Sequence, residues 1–207
     1  MIFECGKKND MNVIEHYDKL IDENNDPVYD TDALKAYMDK WDGDAFIDAL
    51  RLDKTKSVLE IGVGTGRLAL KTILYCGEFV GIDISPKTIE RARQNLSEYK
   101  NKELICDDFM TYQFGQAFDV VYSSLTFMHI KEKQESINKI CSLLNTNGRF
   151  VLSIDKNQDK YIEYGGSRIE IFPDSPYDIK NYISATRLIL LDCIETEFAY
   201  IFVCIKK

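Results

Sequence analysis

From position 57 onward, short runs of β-branched and apolar residues alternate with stretches whose apolar residues recur every three or four positions. That alternation predicts βαβ units and a mostly parallel sheet. Residues 57–61, 79–83, 103–106, 118–122 and 149–154 are the first five strands in this reading, and their apolar continuity implies cover on both faces. Ser85-Pro86 supplies an N-cap followed by proline in the first helical turn, after which Ile89, Ala92, Arg93 and Leu96 share a face. Ile137, Ile140, Cys141 and Leu144 repeat at helical spacing until Asn147-Gly148 ends the segment and opens the fifth strand.

The flanks follow other patterns. Residues 1–55 read as helical: Leu34, Tyr37, Met38 and Trp41 fall on one face as a core stripe, and Phe46, Ile47 and Leu50 continue it past Gly43. Beyond Asp155, segments 160–164 and 167–172 flank Gly165-Gly166, the composition of a tight β-hairpin. A short helix over 179–185 and two strands over 188–194 and 198–205 then close the sheet as an antiparallel pair. The expected fold is α/β, a Rossmann-like, seven-stranded, mostly parallel sheet with helices on both faces. It forms a single domain over 1–207, divided into an N-terminal helical cap (1–55), a core (56–155) and a hairpin insertion with C-terminal strands (156–207).

Bulk properties narrow the function without naming it. A chain of 207 residues is long enough to bury one ordinary core. The first dozen residues lack the apolar segment of a signal peptide, and no apolar run reaches spanning length, so a cytoplasmic location without membrane attachment is expected. The six cysteines, Cys5, Cys76, Cys106, Cys141, Cys193 and Cys204, show no CxxC spacing and read as reduced thiols, with no metal site expected. A net charge of -8 disfavours nucleic acid and leaves a small molecule as the expected substrate. Lys131, Lys133 and Lys139, interleaved with Glu132 and Glu135, read as a solvated helix face. The chain is expected to be a monomer or a homodimer, the segment 160–172 serving a dimer contact or a substrate equally well.

The chemistry concentrates at Leu59-Glu60-Ile61-Gly62-Val63-Gly64-Thr65-Gly66-Arg67, an acidic residue ending a strand and three glycines spaced by single residues. Glycines in a strand-to-helix turn permit positive φ and close approach of a ligand to the backbone, where the helix presents free N–H groups. A dinucleotide fingerprint needs a third small residue where Arg67 stands, so a nicotinamide-dependent oxidoreductase is disfavoured. Arg67 itself reads as a helix surface residue.

The stretch resembles instead the first motif of the class I S-adenosylmethionine-dependent methyltransferases, E/D-x-G-x-G-x-G, matched by Glu60, Gly62, Gly64 and Gly66. The resemblance extends over about 58–154 and implies the remaining roles. Asp83, 21 residues beyond Gly62, would accept from both ribose hydroxyls, with Ile84 against the adenine. Asp107-Asp108-Phe109 resembles the adenine-binding step, Asp108 aligning with the family's aspartate and Asp107 an alternative. Ser123 to Thr126, Ser124 among them, would stand beside the sulfonium. Tyr17 and Tyr29, outside the stripe of Tyr37 and Trp41, are candidates for the cofactor pocket, and Tyr161 and Tyr164 for a substrate mouth. Of the two histidines, His16 reads as structural or exposed, whereas His129, just past the fourth strand, is the candidate general base. The implied activity is direct methyl transfer from S-adenosylmethionine, yielding S-adenosylhomocysteine, to a small acceptor. Ser123-Ser124-Leu125-Thr126 replaces the N/D-P-P-Y/F step of enzymes that methylate nucleic-acid bases. A non-catalytic nucleotide-binding module is the alternative from another class.

Overall fold

A computed structural model describes residues 9–207; Cys5 lies outside the described residues. The five core strands form where the apolar runs stand: β2 (Ser57–Ile61), β3 (Glu78–Asp83), β4 (Lys102–Cys106), β5 (Phe118–Ser124) and β6 (Leu144–Asp155). With β9 (Leu188–Glu195) and β10 (Ala199–Lys206) they make one seven-stranded sheet in the order β4-β3-β2-β5-β6-β10-β9. Pairing is parallel from β4 through β6, and β10 runs antiparallel to both β6 and β9. The order reverses between β2 and β5, which leaves a crevice at the carboxyl ends of the parallel strands.

Successive strand residues bury themselves on opposite faces, as the pleat requires. Leu59, Val80 and Val121 join one apolar layer with α6 (Lys133–Leu143) and α7 (Pro176–Ser184). Val58, Phe79 and Val120 join the other with α3 (Asp44–Leu50), α4 (Ala69–Thr72) and α5 (Pro86–Asn95). The helix expected at 179–185 starts earlier because Ser175 caps it and Pro176 occupies its first position. The helix expected to reach Leu144 stops at Leu143: Leu144 already pairs with Phe118, and the register then jumps so that Val120 meets Arg149, with Asn147 at φ 63° between them.

The N-terminal segment departs from the all-helical expectation. β1 (Asn9–Asp10) pairs in parallel with β8 (Ser167–Glu170), which forms the expected hairpin with β7 (Tyr161–Tyr164), giving a separate three-stranded sheet. A two-residue strand whose partner stands at the far end of the chain leaves no periodicity to read. α1 (Val13–Asp22) follows, opened by a reciprocal capping box between Asn12 and Glu15, and packs along α5. On α2 (Asp32–Asp42) the expected core stripe is not buried: Leu34 and Tyr37 are 50% and 47% exposed, and Trp41 packs on Phe198 with ring centroids 4.6 Å apart. α3 supplies the buried contact instead, through Phe46 and Leu50.

One surface expectation is overturned, and two aromatics stand apart from the central cavity. Lys133 is buried in an ion pair with Asp174 at 2.8 Å, its ammonium also donating to the carbonyls of Phe127 and Phe172. Tyr161 and Tyr164 do not line the central cavity. Tyr161 stacks under the Arg168 guanidinium, and the Tyr164 hydroxyl donates to Glu23 at 2.6 Å, which ties the hairpin to the end of α1.

Candidate cofactor site

At the carboxyl ends of β2 to β5 lies a cavity of about 450 Å³, roofed by the apolar face of α1 through Val13, Tyr17, Leu20 and Ile21. Glu60, Gly62, Gly64, Asp83, Ile84, Asp107, Asp108, Phe109, Ser124, Tyr17 and His129 all line it. Because the strands lie in the order β4, β3, β2, β5, the lining runs as a row. Asp107 and Asp108 come first, then Asp83, then the glycine turn, then Ser124.

Two expected residues stand outside this row. Tyr29 sits on the 3-10 turn Pro27–Tyr29 and is 74% exposed, away from the cavity, because the turn capped by Asp26 points its ring outward. Gly66 does not line the cavity either. Its φ of +98° and the Leu96 side chain, 3.2 Å from where a Cβ would stand, make it a packing position between the turn and α5.

Each side of the glycine turn has its own constraint. Gly62 has φ +76°, and a Cβ there would collide with Thr126, so the turn packs directly on the loop after β5. Gly64 has φ +56°, yet a Cβ there would meet nothing within 4 Å. That open backbone fits the close approach of a ligand. Asp83 fastens the turn: Oδ2 accepts from Gly64 N at 3.0 Å and Oδ1 from Ser85 N at 3.0 Å, leaving a lone pair on each oxygen for a ligand diol. Burial pushes the Asp83 carboxyl above its ordinary value, against the backbone hydrogen bonds that favour the charge.

Glu60 is buried and accepts from the Tyr122 hydroxyl at 2.8 Å. Burial raises it to about 8 despite that hydrogen bond and the nearby Arg67 charge. Asp107 and Asp108 cap their own turn, Asp108 N donating to Asp107 and Met110 N to Asp108, with outer oxygens left for a ligand. At the roof, the Tyr17 hydroxyl lies 2.8 Å from His129 Nε2 while Nδ1 is buried without a partner among the described residues. Burial lowers His129 to about 4 and raises the Tyr17 phenol, so both stay neutral at ordinary pH. His16 is buried between the rings of Tyr17 and Tyr164, a structural placement.

Residues 52–168, more than half of the chain, match the methyltransferase domain family. The chain belongs to that family. The methyltransferase domain is 29% identical over 129 residues to malonyl-[acyl-carrier protein] O-methyltransferase 1 of Ilyobacter polytropus, covering 61% of this chain and 48% of the relative. It is 30% identical over 146 residues to an uncharacterized methyltransferase of Schizosaccharomyces pombe, covering 65% and 51%. The chain thus spans about half the length of these curated relatives. The fold is that of magnesium protoporphyrin IX methyltransferase from Synechocystis PCC 6803, solved with bound SAM, at a TM-score of 0.72 and 15% identity over 94% of this chain and 95% of that one.

The sequence reading missed Asp42 and the true place of Arg67. Asp42, the last residue of α2, is fully buried and accepts from both terminal nitrogens of Arg67 and from Ser124 Oγ at 2.6 Å. A lone aspartate before glycine reads as a helix end, so nothing in the pattern flagged it.

Proposed function

We propose that the cavity binds S-adenosylmethionine and that the chain transfers its methyl group to a small-molecule acceptor. The observation that carries this reading is the sequence of carboxylates along the strand ends. Asp107, Asp108 and Asp83 face a cavity that a cationic ligand with a vicinal diol would fill, whereas a dinucleotide would bring its anionic pyrophosphate against them. The open Gly64 backbone and the lone pairs left on Asp83 support the same ligand. Asp83 would hold the ribose hydroxyls, Asp107 or Asp108 the adenine amino group, and Ile84 and Phe109 its faces. The bound cofactor supplies an electrophilic methyl on a cationic sulfur that departs as a neutral thioether, so no acid is needed to help it leave.

The chain's own residues position the acceptor and keep water out. α1 covers the cavity with apolar side chains, and Tyr17 fixes the ring of His129. With its basicity lowered to about 4, His129 is a weak proton acceptor and serves better as a neutral hydrogen-bonding group. That favours an acceptor whose attacking atom carries no proton, such as a carboxylate oxygen. The oxygen acceptor named for the Ilyobacter relative is consistent with this class. The small cavity favours a free small molecule over nucleic acid, with the chain acting as a monomer or a homodimer; a cytoplasmic setting suits such a substrate.

The test is calorimetric titration with S-adenosylmethionine, S-adenosylhomocysteine and NAD in parallel, on the wild type and on Asp83→Ala. The first two ligands should bind the wild type, and the variant should lose at least tenfold in affinity, the scale of a charge-assisted hydrogen bond. Binding of NAD alone, or unchanged affinity in a folded Asp83→Ala, would overturn the reading. Binding without turnover on any carboxylic acid would favour a non-catalytic module.

A further inference from the structure

Arg67 and Lys131 are the two cationic side chains lining the cavity among the described residues; Lys131 is exposed, whereas Arg67 is half-buried, its side chain 16% exposed. It stands at the β5 end of the row, opposite the aspartates that follow β4, and Ser124 shares its partner Asp42. A guanidinium carries five N–H donors in a rigid fork. Asp42 takes one from each terminal nitrogen, and the remaining donors have no acceptor among the described residues. Burial opposes the charge on Arg67, but the hydrogen bonds and negative charge of Asp42 more than offset it and raise Arg67 above its ordinary value. The result is a permanently charged, planar donor held still at the far end of a cavity lined by Asp83, Asp107 and Asp108, with donors to spare.

A cofactor whose adenine lies by β4 and whose ribose meets Asp83 by β3 would place its amino-acid end beside the glycine turn and β5. Strand spacing of roughly 4.8 Å makes that row about 14 Å long, suited to an extended nucleoside with a side arm. The amino-acid end carries one carboxylate, and an anion there needs a cation.

We infer that Arg67 binds the carboxylate of the cofactor's amino-acid end, and that Asp42 from α2 is the positioning residue that sets the plane of its guanidinium. The inference rests on the S-adenosylmethionine reading. It makes recognition of the amino-acid arm depend on a residue outside the glycine motif, delivered by the N-terminal helices.

S-adenosylhomocysteine and 5′-methylthioadenosine share the adenosine and the thioether, but only the first carries the amino-acid arm. Titrating both, with no acceptor present, isolates the cofactor's carboxylate from an acceptor's. The wild type should prefer S-adenosylhomocysteine, and Arg67→Gln should weaken that ligand about ten- to a hundredfold, the range for a hydrogen bond to a charged group, while leaving 5′-methylthioadenosine unchanged. Asp42→Asn should lower the preference by a smaller factor, because the guanidinium stays charged but loses its fixed plane. Where Arg67→Gln fails to fold for want of a partner to buried Asp42, the double variant Asp42→Asn/Arg67→Gln removes both charges and carries the same expectation. An unchanged preference in a folded variant overturns the inference and leaves the cofactor reading standing. A wild type that binds neither ligand overturns both.

Discussion

At the residue scale, the buried carboxyl of Glu60 governs how the site responds to pH. It is neutral over most of the physiological range because burial lifts it to about 8. The unfolded chain releases this proton near the ordinary carboxylate value of roughly 4.3. Between those two values the folded state holds more protons than the unfolded one, so raising the pH favours unfolding across that window. Asp42, Asp83, Arg67 and Tyr122 surround the group and set the size of the effect. A Glu60→Gln variant keeps the oxygen that accepts from Tyr122 but has no proton to lose. Its melting temperature should therefore gain on the wild type as pH climbs from about 5 to 8. Parallel melting curves across that range would show that Glu60 is ionised in the folded protein. Local legibility was greatest here, because the positive φ values of Gly62, Gly64 and Gly66 are demands that sequence states directly. What glycine spacing did not state was that a Cβ at Gly66 would meet the Leu96 side chain.

At the scale of elements, the roof over the cavity is held by parts distant in sequence. α1 is docked on α5 by Asp18, which accepts from Ser85 Oγ at 2.7 Å and Lys87 N at 3.2 Å, and by Asp22 with Lys87. On its other side β1 pairs with β8, Asp10 meets Arg168 at 2.6 Å and Tyr164 reaches Glu23. The hairpin is itself fixed to the His129 loop by Phe172 N donating to Met128 O at 2.8 Å and by buried Lys133. Exposed ion pairs contribute little singly, on the order of 0.2–1 kcal/mol, so the strap works through their number and through strand pairing. Replacing Tyr164 by Phe together with Arg168 by Ala should speed amide exchange across α1 several-fold while leaving β2 to β5 unchanged. Equal exchange in α1 would show that the hairpin does not restrain it. The hairpin was legible from its glycine pair, but its role was not. Tyr161 and Tyr164 read as a substrate mouth because sequence gives an aromatic no direction, and the fold turned them toward Arg168 and α1.

At the scale of the whole molecule, the cavity leaves the apolar face of α1 over open space, so a ligand that fills it completes the packing between the N-terminal helices and the sheet. S-adenosylhomocysteine at a hundred times its dissociation constant should stabilise the fold by about 2.7 kcal/mol, read as a rise in melting temperature, with exchange protection gained chiefly in α1. Protection spread evenly over the sheet would count against a roof that closes on the ligand. Sequence alone carried the parallel sheet, its strand limits to within two residues except at the start of β6, the glycine turn, and the acidic residues at the ends of β2, β3 and β4. These depend on periodicity and on backbone conformations that few residue types adopt, both of which are local. Tertiary packing was needed to pair Arg67 with buried Asp42, to bring Tyr17 to His129 while Tyr29 faces solvent, and to join a two-residue strand to the hairpin. Those are pairings across tens of residues. Polar partners carry no hydrophobic period along the chain, and their geometry exists only once the sheet has brought its loops together.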